Sequence, residues 1–365
     1  MEKKNIAILF GGNSTEHEVS LQSAKNVIGA IDKEKYEITL IGIDKDGQWY
    51  LCDNEDFLVN EHNPKEIKLK HTEISVVLQQ GKVEQQLLCF GKTNFTKNID
   101  VVFPILHGAY GEDGTVQGLL KLANLPFVGP SLLGSAIGMD KDVTKRLLRD
   151  AGIPTAKCLT YKKWEQDKID FTTAVEELGL PIFVKPANLG SSVGINKVRN
   201  EEEFCKAIQE AFAFDSKILL EEFIQGQEIE CAVLGNEAPK ASILGAVIPQ
   251  QDFYSYDAKY IDDKGAKLQI PAELSSELTY RMQNLAKKAF QVLCCEGMAR
   301  VDFFLTKESA IYINEINTIP GFTAISMYPK LWEYSGIAYK DLIDKLIQLA
   351  LERYQREEAI QKKYF

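Results

Sequence analysis

Several features that define other protein classes are missing from this chain. It has no run that approaches the roughly 20 apolar residues of a membrane span, and it opens without a signal-peptide pattern, so we expect a cytoplasmic protein with no membrane partner. Its 42 basic residues are outnumbered by 52 acidic ones, and the net charge of -10 disfavours nucleic acid as a partner. The 7 cysteines form no CxxC pair and the 4 histidines show no zinc spacing, so neither a disulfide framework nor a zinc site is expected.

What the chain does contain is typical of a multidomain α/β protein. A chain of 365 residues is long for one hydrophobic core, and we predict three units, at residues 1–129, 130–226 and 227–365. The first unit alternates strand and helix, which predicts a parallel sheet with ligand loops at its strand ends. Residues 52–98 are less regular and predict a hairpin or two. Helices are expected at residues 141–150 and 339–354, with a frayed, charged end after them.

Two strand-like segments near the C-terminus carry the strongest functional signal. Residues 298–305 (MARVDFFL) and 310–317 (AIYINEIN) are rich in branched and aromatic side chains and are joined by a polar turn. If they pair as a hairpin, one guanidinium and three oxygen ligands share a face. Oxygen ligands of this kind suit Mg²⁺, although the alternative is a solvated polar face on an edge hairpin. The four residues are Arg300, Asp302, Glu315 and Asn317.

Two further segments predict a nucleotide site only in combination. Residues 182–194 (IFVKPANLGSSVG) place Lys185 before a small-residue loop whose amides, at Ser191 and Ser192 among others, can face a phosphate. Residues 217–228 (KILLEEFIQGQE) resemble a strand that leads into a hinge and could offer Glu221 to an adenine. Taken alone, the first segment is as consistent with a simple turn, and the second with an exposed acidic strand end.

A long irregular segment at residues 249–269 predicts a lid. Loops of this length inside a compact domain usually cover a binding site. Its aromatic stretch at residues 253–260 (FYSYDAKY) argues against disorder, and the alternative is a loop that only packs on its neighbours.

Taken together and in this order, these segments resemble the D-alanine–D-alanine ligases of the ATP-grasp superfamily. The resemblance covers nearly the whole chain and rests on residues 11–20 (GGNSTEHEVS), 107–114 (HGAYGEDG), 190–194 (GSSVG), 299–302 (ARVD) and 314–321 (NEINTIPG). It implies a three-domain ATP-grasp fold and an enzyme that joins two D-alanines for peptidoglycan precursors. ATP would convert the first carboxylate to an acyl phosphate, which the second amine attacks.

The resemblance also implies which residues hold ATP and two Mg²⁺ ions, with Mn²⁺ as the alternative metal. Phosphate contacts are implied for Lys141, Lys185, Ser192 and Lys259. Adenosine contacts are implied for Glu221, Glu222, Ile224 and Glu228, with Glu222 and Ile224 acting through their backbones. Metal ligation is implied for Asp302, Glu315 and Asn317.

The reacting groups are assigned in the same way. Arg300 and the backbone of Gly321 would stabilise the oxyanion. Glu16 would hold the first ammonium group, with Ser191 and Tyr260 bonded around it to keep the lid shut. His107 would lie near the first substrate, Ser326 would bind the second carboxylate, and the apolar Met327 would favour a methyl side chain.

The second substrate is the least constrained part of this assignment. Tyr260 stands where D-lactate-using ligases place a histidine, and Met327 where D-serine-using ligases carry an arginine, so D-alanine is expected. The alternatives are a ligase that uses D-serine or D-lactate and a non-catalytic nucleotide-binding relative. The resemblance further implies a homodimer.

Overall fold

The structure is a computed structural model that describes residues 3–82, 84–190, 193–249 and 266–360. Three large sheets follow one another along the chain, together with a small two-stranded sheet. Helices cover these sheets, which confirms the mixed α/β class expected from the sequence. Within the described ranges, no helix is both long and apolar enough to cross a lipid bilayer.

A seven-stranded sheet forms the first unit. In chain order its elements are β1 (Lys4–Gly11), α1 (His17–Ala30), β2 (Tyr36–Ile43), β3 (Trp49–Cys52), β4 (Leu58–Val59), β5 (Lys68–Leu69), β6 (Ser75–Leu78), β7 (Leu87–Phe90), β8 (Phe95–Lys97), β9 (Val101–Ile105) and α2 (Thr115–Leu122). The strand order is β8-β7-β6-β3-β2-β1-β9, and β4 pairs with β5 separately. Parallel pairing joins only β2, β1 and β9, while residues 52–98 add the expected antiparallel hairpins.

The turn after β1 is tightly constrained and places the start of α1. Gly11 has a φ of +90°, and a Cβ there would lie 2.1 Å from the carbonyl oxygen of Ile43. The Gly11 amide donates to Ser20 Oγ at 2.7 Å, which fastens the turn to the first helix. Glu16 therefore stands at the carboxyl end of the parallel strands, the edge where ligands of open α/β sheets bind.

A four-stranded antiparallel sheet forms the middle of the chain. In chain order, the elements of this part are α3 (Leu132–Met139), α4 (Lys141–Asp150), β10 (Cys158–Lys162), a 3₁₀ turn (Lys163–Lys168), α5 (Phe171–Leu178), β11 (Ile182–Pro186), β12 (Asn196–Val198), α6 (Glu201–Phe214) and β13 (Lys217–Glu222). The strand order is β10-β13-β11-β12. Helix α4 begins at the predicted residue because Asp140 caps it, accepting from the amides of Asp142 and Val143 at 3.1 Å.

A five-stranded antiparallel sheet forms the last part. Its elements are β14 (Gly226–Gly235), β15 (Lys240–Pro249), β16 (Ala266–Gln269), α7 (Ser276–Val292), β17 (Gly297–Thr306), β18 (Ile311–Asn317), α8 (Met327–Tyr334) and α9 (Tyr339–Ala359), and the strand order is β16-β15-β14-β17-β18.

Two expectations for this part of the chain need correction. The last four residues of the predicted lid loop form β16, paired with β15. The final helix runs to Ala359 because Arg356 pairs with Glu237 and Glu296, so the first residues of the predicted frayed end are helical, while residues 361–365 lie outside the described residues.

The cores do not follow the three predicted units one to one. One cluster joins the first sheet to α8 and α9, with the Phe103 and Phe322 rings 6.0 Å apart. Arg353 on α9 is buried and donates to the carbonyls of Phe127 and Gly129 in the first unit. Leu148, on α4, packs in the core of the five-stranded sheet. The middle sheet keeps a core of its own, and the unit boundaries stay a prediction.

Candidate active site

Strands β17 and β18 pair as the sequence predicts. Arg300 lies opposite Asn317, and Asp302 lies opposite Glu315. A bulge follows, since Phe303 pairs with Ile313 and leaves one extra residue on β18. Strand alternation places the two polar pairs on one face, and the extra residue lets Ile313 and Ile316 both lie in the core. The structure therefore brings all four predicted residues together.

Arg300 makes ionic contacts to two carboxylates. Its Nε and Nη2 donate to the two carboxylate oxygens of Asp302 at 2.7 Å each. Its Nε also lies 3.0 Å from Oε2 of Glu230, a buried residue of β14 directly opposite Asp302. The sequence analysis missed Glu230, although its position two residues after Glu228 places both glutamates on one face of a strand.

The hairpin fits a divalent cation. The Oδ1 of Asn317 is buried and accepts no hydrogen bond from any described residue, which leaves it available as a ligand. Two carboxylates and one amide oxygen are a suitable protein contribution for Mg²⁺, which completes its shell with water and phosphate oxygens. In the described ranges no cluster of three or more His, Cys, Asp or Glu side chains has metal-binding geometry.

Lys141 connects the hairpin to the glycine–serine loop. Its Nζ donates to the Leu189 carbonyl at 2.6 Å and lies 3.8 Å from Oε2 of Glu315. Leu189 immediately precedes Gly190, the first residue of that loop. A side chain that the sequence suggested only in combination thus stands between the predicted phosphate loop and the predicted metal ligands.

Glu221 lies buried between two lysines. Lys185 reaches its Oε1 at 2.5 Å, and Lys145 on α4 reaches its Oε2 at 2.6 Å. Burial alone would raise the pKa of Glu221, but the two ammonium groups outweigh it and hold that pKa below its ordinary value. Nothing in the sequence marked Lys145, which is one lysine among several on α4.

The predicted adenine hinge lies between β13 and β14. The Glu222 amide donates to the Lys157 carbonyl at 3.0 Å, and its side chain accepts from the Lys157 amide at 2.6 Å. Of the Glu222 backbone only the carbonyl is left for a ligand, so a contact through its amide is not supported. Ile224 lies in the connection between the strands, and Glu228 faces the same side of the sheet as Arg300.

Glu16, which belongs to the first unit, lies close to the glycine–serine loop. A Cβ built on Gly108 would lie 2.7 Å from its Oε2, and one built on Gly190 would lie 3.3 Å from it. The Glu16 carboxylate is therefore held against the glycine–serine loop. Burial raises the pKa of Glu112 well above its ordinary value, and the nearby charge of Glu16 raises that pKa further. The sequence analysis did not single out Glu112, although it lies inside the matched segment at residues 107–114.

His107 is buried, and both of its ring nitrogens are engaged. Nδ1 lies 3.0 Å from the Ile319 carbonyl, which can only accept, so Nδ1 carries the proton and Nε2 accepts from Ser23 Oγ at 3.1 Å. Burial lowers the pKa of His107 to about 4, although the bond to Ile319 opposes this. Ser23 also accepts from the Phe322 amide at 3.1 Å. The two side chains thus hold both ends of the segment that contains Gly321, and substrate contact by His107 stays a prediction.

The predicted second-substrate residues lie just after that segment. Ser326 Oγ accepts from the Thr323 amide at 3.0 Å in the turn before α8. Met327 is 4% exposed, and its sulfur packs against Gly245 in the core. Its proposed contact with a substrate methyl group stays a prediction. Four other predicted residues lie outside the described residues, namely Ser191, Ser192, Lys259 and Tyr260, as does most of the predicted lid.

The chain is similar to known proteins over nearly its whole length. Residues 5–130 match the model of the D-ala D-ala ligase N-terminus, and residues 147–348 match that of the D-ala D-ala ligase C-terminus. The D-alanine–D-alanine ligase of Shouchella clausii is 54% identical over 365 residues, covering 100% of this chain and 99% of that protein.

Two solved structures share the fold over almost their full lengths. The D-alanine–D-alanine ligase from Coxiella burnetii has a TM-score of 0.85 and 42% identity, covering 98% of this chain and 97% of that one. The D-Ala:D-Ser ligase VanG from Enterococcus faecalis has a TM-score of 0.84 and 38% identity, covering 96% and 100%. On these matches, the chain belongs to the D-alanine–D-alanine ligase family.

Proposed function

We propose that this protein joins two D-alanine molecules to D-alanyl-D-alanine with ATP, and so supplies peptidoglycan precursor synthesis in the cytoplasm. The observation that carries the proposal is the position of Lys141, which contacts the residue before Gly190 and lies 3.8 Å from Glu315. A phosphate beside Lys141 would thus meet the loop amides on one side and the hairpin carboxylates on the other. Glu16 borders the same space, where an ammonium group would be held.

ATP is needed because a carboxylate is a poor acyl donor. Transfer of the γ-phosphoryl group to the first D-alanine gives an acyl phosphate, and attack by the second amine releases phosphate. In this scheme Lys141 and Lys185 neutralise the phosphates, with Ser192 and Lys259 beside them. Glu221, the backbones of Glu222 and Ile224, and the Glu228 side chain hold the adenosine.

Asp302, Glu315 and Asn317 would hold two Mg²⁺ ions, or Mn²⁺, which would neutralise phosphate charge when bound. The protein's own groups account for the rest of the chemistry. Arg300 and the Gly321 amide face the developing oxyanion, in a segment whose ends are fixed by Ser23 and His107.

Substrate orientation and exclusion of water complete the scheme. Glu16 orients the first ammonium group, with Ser191 and Tyr260 bonded around it. Ser326 receives the second carboxylate at the start of α8, and His107 stands near the first substrate. Exclusion of water protects the acyl phosphate, which hydrolyses readily.

ADP release by the purified protein tests the proposal. D-alanine as the only amino acid should drive ATP turnover, and mass spectrometry should detect the dipeptide. If D-alanine alone gives no ADP while added D-serine or D-lactate does, the enzyme is a ligase with another second substrate. Retained ATP binding without ADP release under any acceptor would instead identify a non-catalytic nucleotide-binding relative.

The second candidate, D-serine as acceptor, is supported by one observation. The D-Ala:D-Ser ligase VanG superposes almost as well as the D-alanine–D-alanine ligase of Coxiella burnetii, with TM-scores of 0.84 and 0.85. The fold therefore does not discriminate between the acceptors. A methyl and a hydroxymethyl side chain can differ by only about 1–3 kcal/mol in such a pocket, so the competition assay with both amino acids is the discriminating measurement.

We also propose that the protein works as a homodimer, as the family resemblance implies. Analytical ultracentrifugation tests this directly, and a single species at the mass of one chain would refute it.

A further inference from the structure

Glu230 lies beside the proposed metal ligands but has no role in the proposed chemistry. It lies opposite Asp302 across the β14–β17 pair, and its Oε2 is 3.0 Å from Nε of Arg300. The side chains of Arg300, Asp302 and Glu230 are 14%, 13% and 10% exposed. Arg300 is thus shared between two partly desolvated carboxylates, of which only Asp302 is a proposed metal ligand.

Asp302 cannot give both of its oxygens to Arg300 and also coordinate a metal ion. Both of its oxygens accept from Arg300 in the structure, yet a metal ion would require at least one of them. A divalent cation and a guanidinium also repel each other at this range. When the metal binds, Arg300 must give up part of its contact with Asp302, and without a second partner it would lose its orientation.

The local charge balance points the same way. Three carboxylates, those of Glu230, Asp302 and Glu315, lie close to two cations, Arg300 and Lys141. Glu112 also interacts electrostatically with Arg300 and Glu315. Burying a third carboxylate beside two others is unfavourable unless cations compensate it. A divalent cation supplies the missing positive charge, so Glu230 favours metal binding through charge as well as through its hold on Arg300.

We propose that Glu230 is a positioning residue, which holds Arg300 toward the reacting centre when Asp302 turns to the metal. This inference rests on the proposed function. In this arrangement, Glu230 keeps Arg300 in place while Asp302 coordinates the metal. Glu230 itself touches neither substrate nor metal in this scheme.

The test is Glu230→Gln, which keeps the shape and removes the charge. Binding of Mn²⁺ in the presence of ADP, followed by the EPR signal of the free ion, should weaken about tenfold, the size expected when a charged hydrogen-bond partner is lost. The Mg²⁺ concentration that gives half-maximal ADP release should rise by a similar factor, and kcat should fall. ADP binding without metal should be no weaker, since the variant only removes a negative charge from the site.

The matched control is Glu237→Gln, an identical substitution at an exposed glutamate whose side chain is 71% exposed. It should leave Mn²⁺ binding and kcat unchanged. If Glu230→Gln does not fold, Glu230→Asp retains the charge but withdraws it by one methylene, and it should give a smaller loss of Mn²⁺ affinity.

The outcomes separate the inference from the proposed function. Wild-type Mn²⁺ affinity together with wild-type kcat in a folded Glu230 variant would overturn the inference and leave the ligase assignment intact. Absence of ADP release by the unmodified enzyme under any acceptor would overturn the proposed function itself.

Discussion

The buried His107 makes stability depend on pH in a predictable direction. Its pKa is about 4 in the folded protein, because burial disfavours the charged ring, while a histidine in the unfolded chain titrates near its ordinary value of about 6.5. Between these values the unfolded chain binds a proton that the folded protein does not. The contribution of His107 to the free energy of unfolding therefore falls as the pH decreases from about 6.5 toward 4, and it is at its full value above that range.

The size of this effect follows from the separation of the two pKa values. At about pH 4.5 the pH is about two units below the pKa of the unfolded histidine, while the folded one is still mostly neutral, so the loss is about 2–3 kcal/mol relative to pH 7.5. His107 is fully buried, so no solvent screening reduces this figure. Protonation would also place a donor on Nε2, which now accepts from Ser23.

Urea unfolding of His107→Gln at the two pH values tests the prediction. The glutamine carbonyl can still accept from Ser23, so the variant should fold, with a lower stability at neutral pH because the bond to Ile319 is lost. Its loss of stability on acidification should be about 2–3 kcal/mol smaller than that of the wild type. His62→Gln is the control, because the His62 side chain is 85% exposed. If His107→Gln loses as much stability on acidification as the wild type does, the reasoning is wrong.

Three further substitutions test separate parts of the structure. Glu315→Gln should lower kcat about 100-fold or more without changing the circular dichroism spectrum, because it weakens a proposed metal ligand; normal ADP release would reject that ligand. Lys145→Met should lower the free energy of unfolding by about 3 kcal/mol, since it leaves Glu221 buried with one cation, and an unchanged urea midpoint would contradict this. Gly134→Ala should destabilise by about 1–3 kcal/mol, because its Cβ would lie 2.5 Å from the Cys294 carbonyl, whereas Gly29→Ala, which meets nothing within 4 Å, should not.

The hairpin at the centre of the site could be predicted because its signals are local. Alternation on β17 assigns Arg300 and Asp302 to one face, and strand pairing needs only the short turn that follows. The bulge on β18 was also encoded in the sequence, since the apolar residues at 311, 313 and 316 break the two-residue period. Helix α4 begins where expected for an equally local reason, the capping aspartate before it.

The residues that the sequence analysis missed act through long-range contacts. Glu230 meets Arg300 only because β14 pairs with β17, with about 70 residues between the two positions. Lys145 reaches Glu221 from a helix that packs in a different core. Ser23 and Phe322 are 299 positions apart. No periodicity or motif records such pairings, because each depends on how separate units dock.

The arrangement of the cores indicates which groups of the site can move relative to one another and which keep their positions. The first sheet, α8 and α9 share one core, so Glu16, Gly321 and the helices behind them form one block. The middle sheet has its own core, and the chain enters and leaves it at Lys157 and Glu222, which are bonded to each other. Rotation about this two-strand crossing disrupts neither core, and the contacts that it strains are those between α4 and the middle sheet, such as the pair of Lys145 with Glu221. Such a rotation moves Lys185 and Leu189, the residue before Gly190, while Glu16 and Gly321 stay in register. We expect the proposed phosphate end of the site to adjust to ATP by this rotation without displacing Glu16 and Gly321 at the proposed acyl-transfer end.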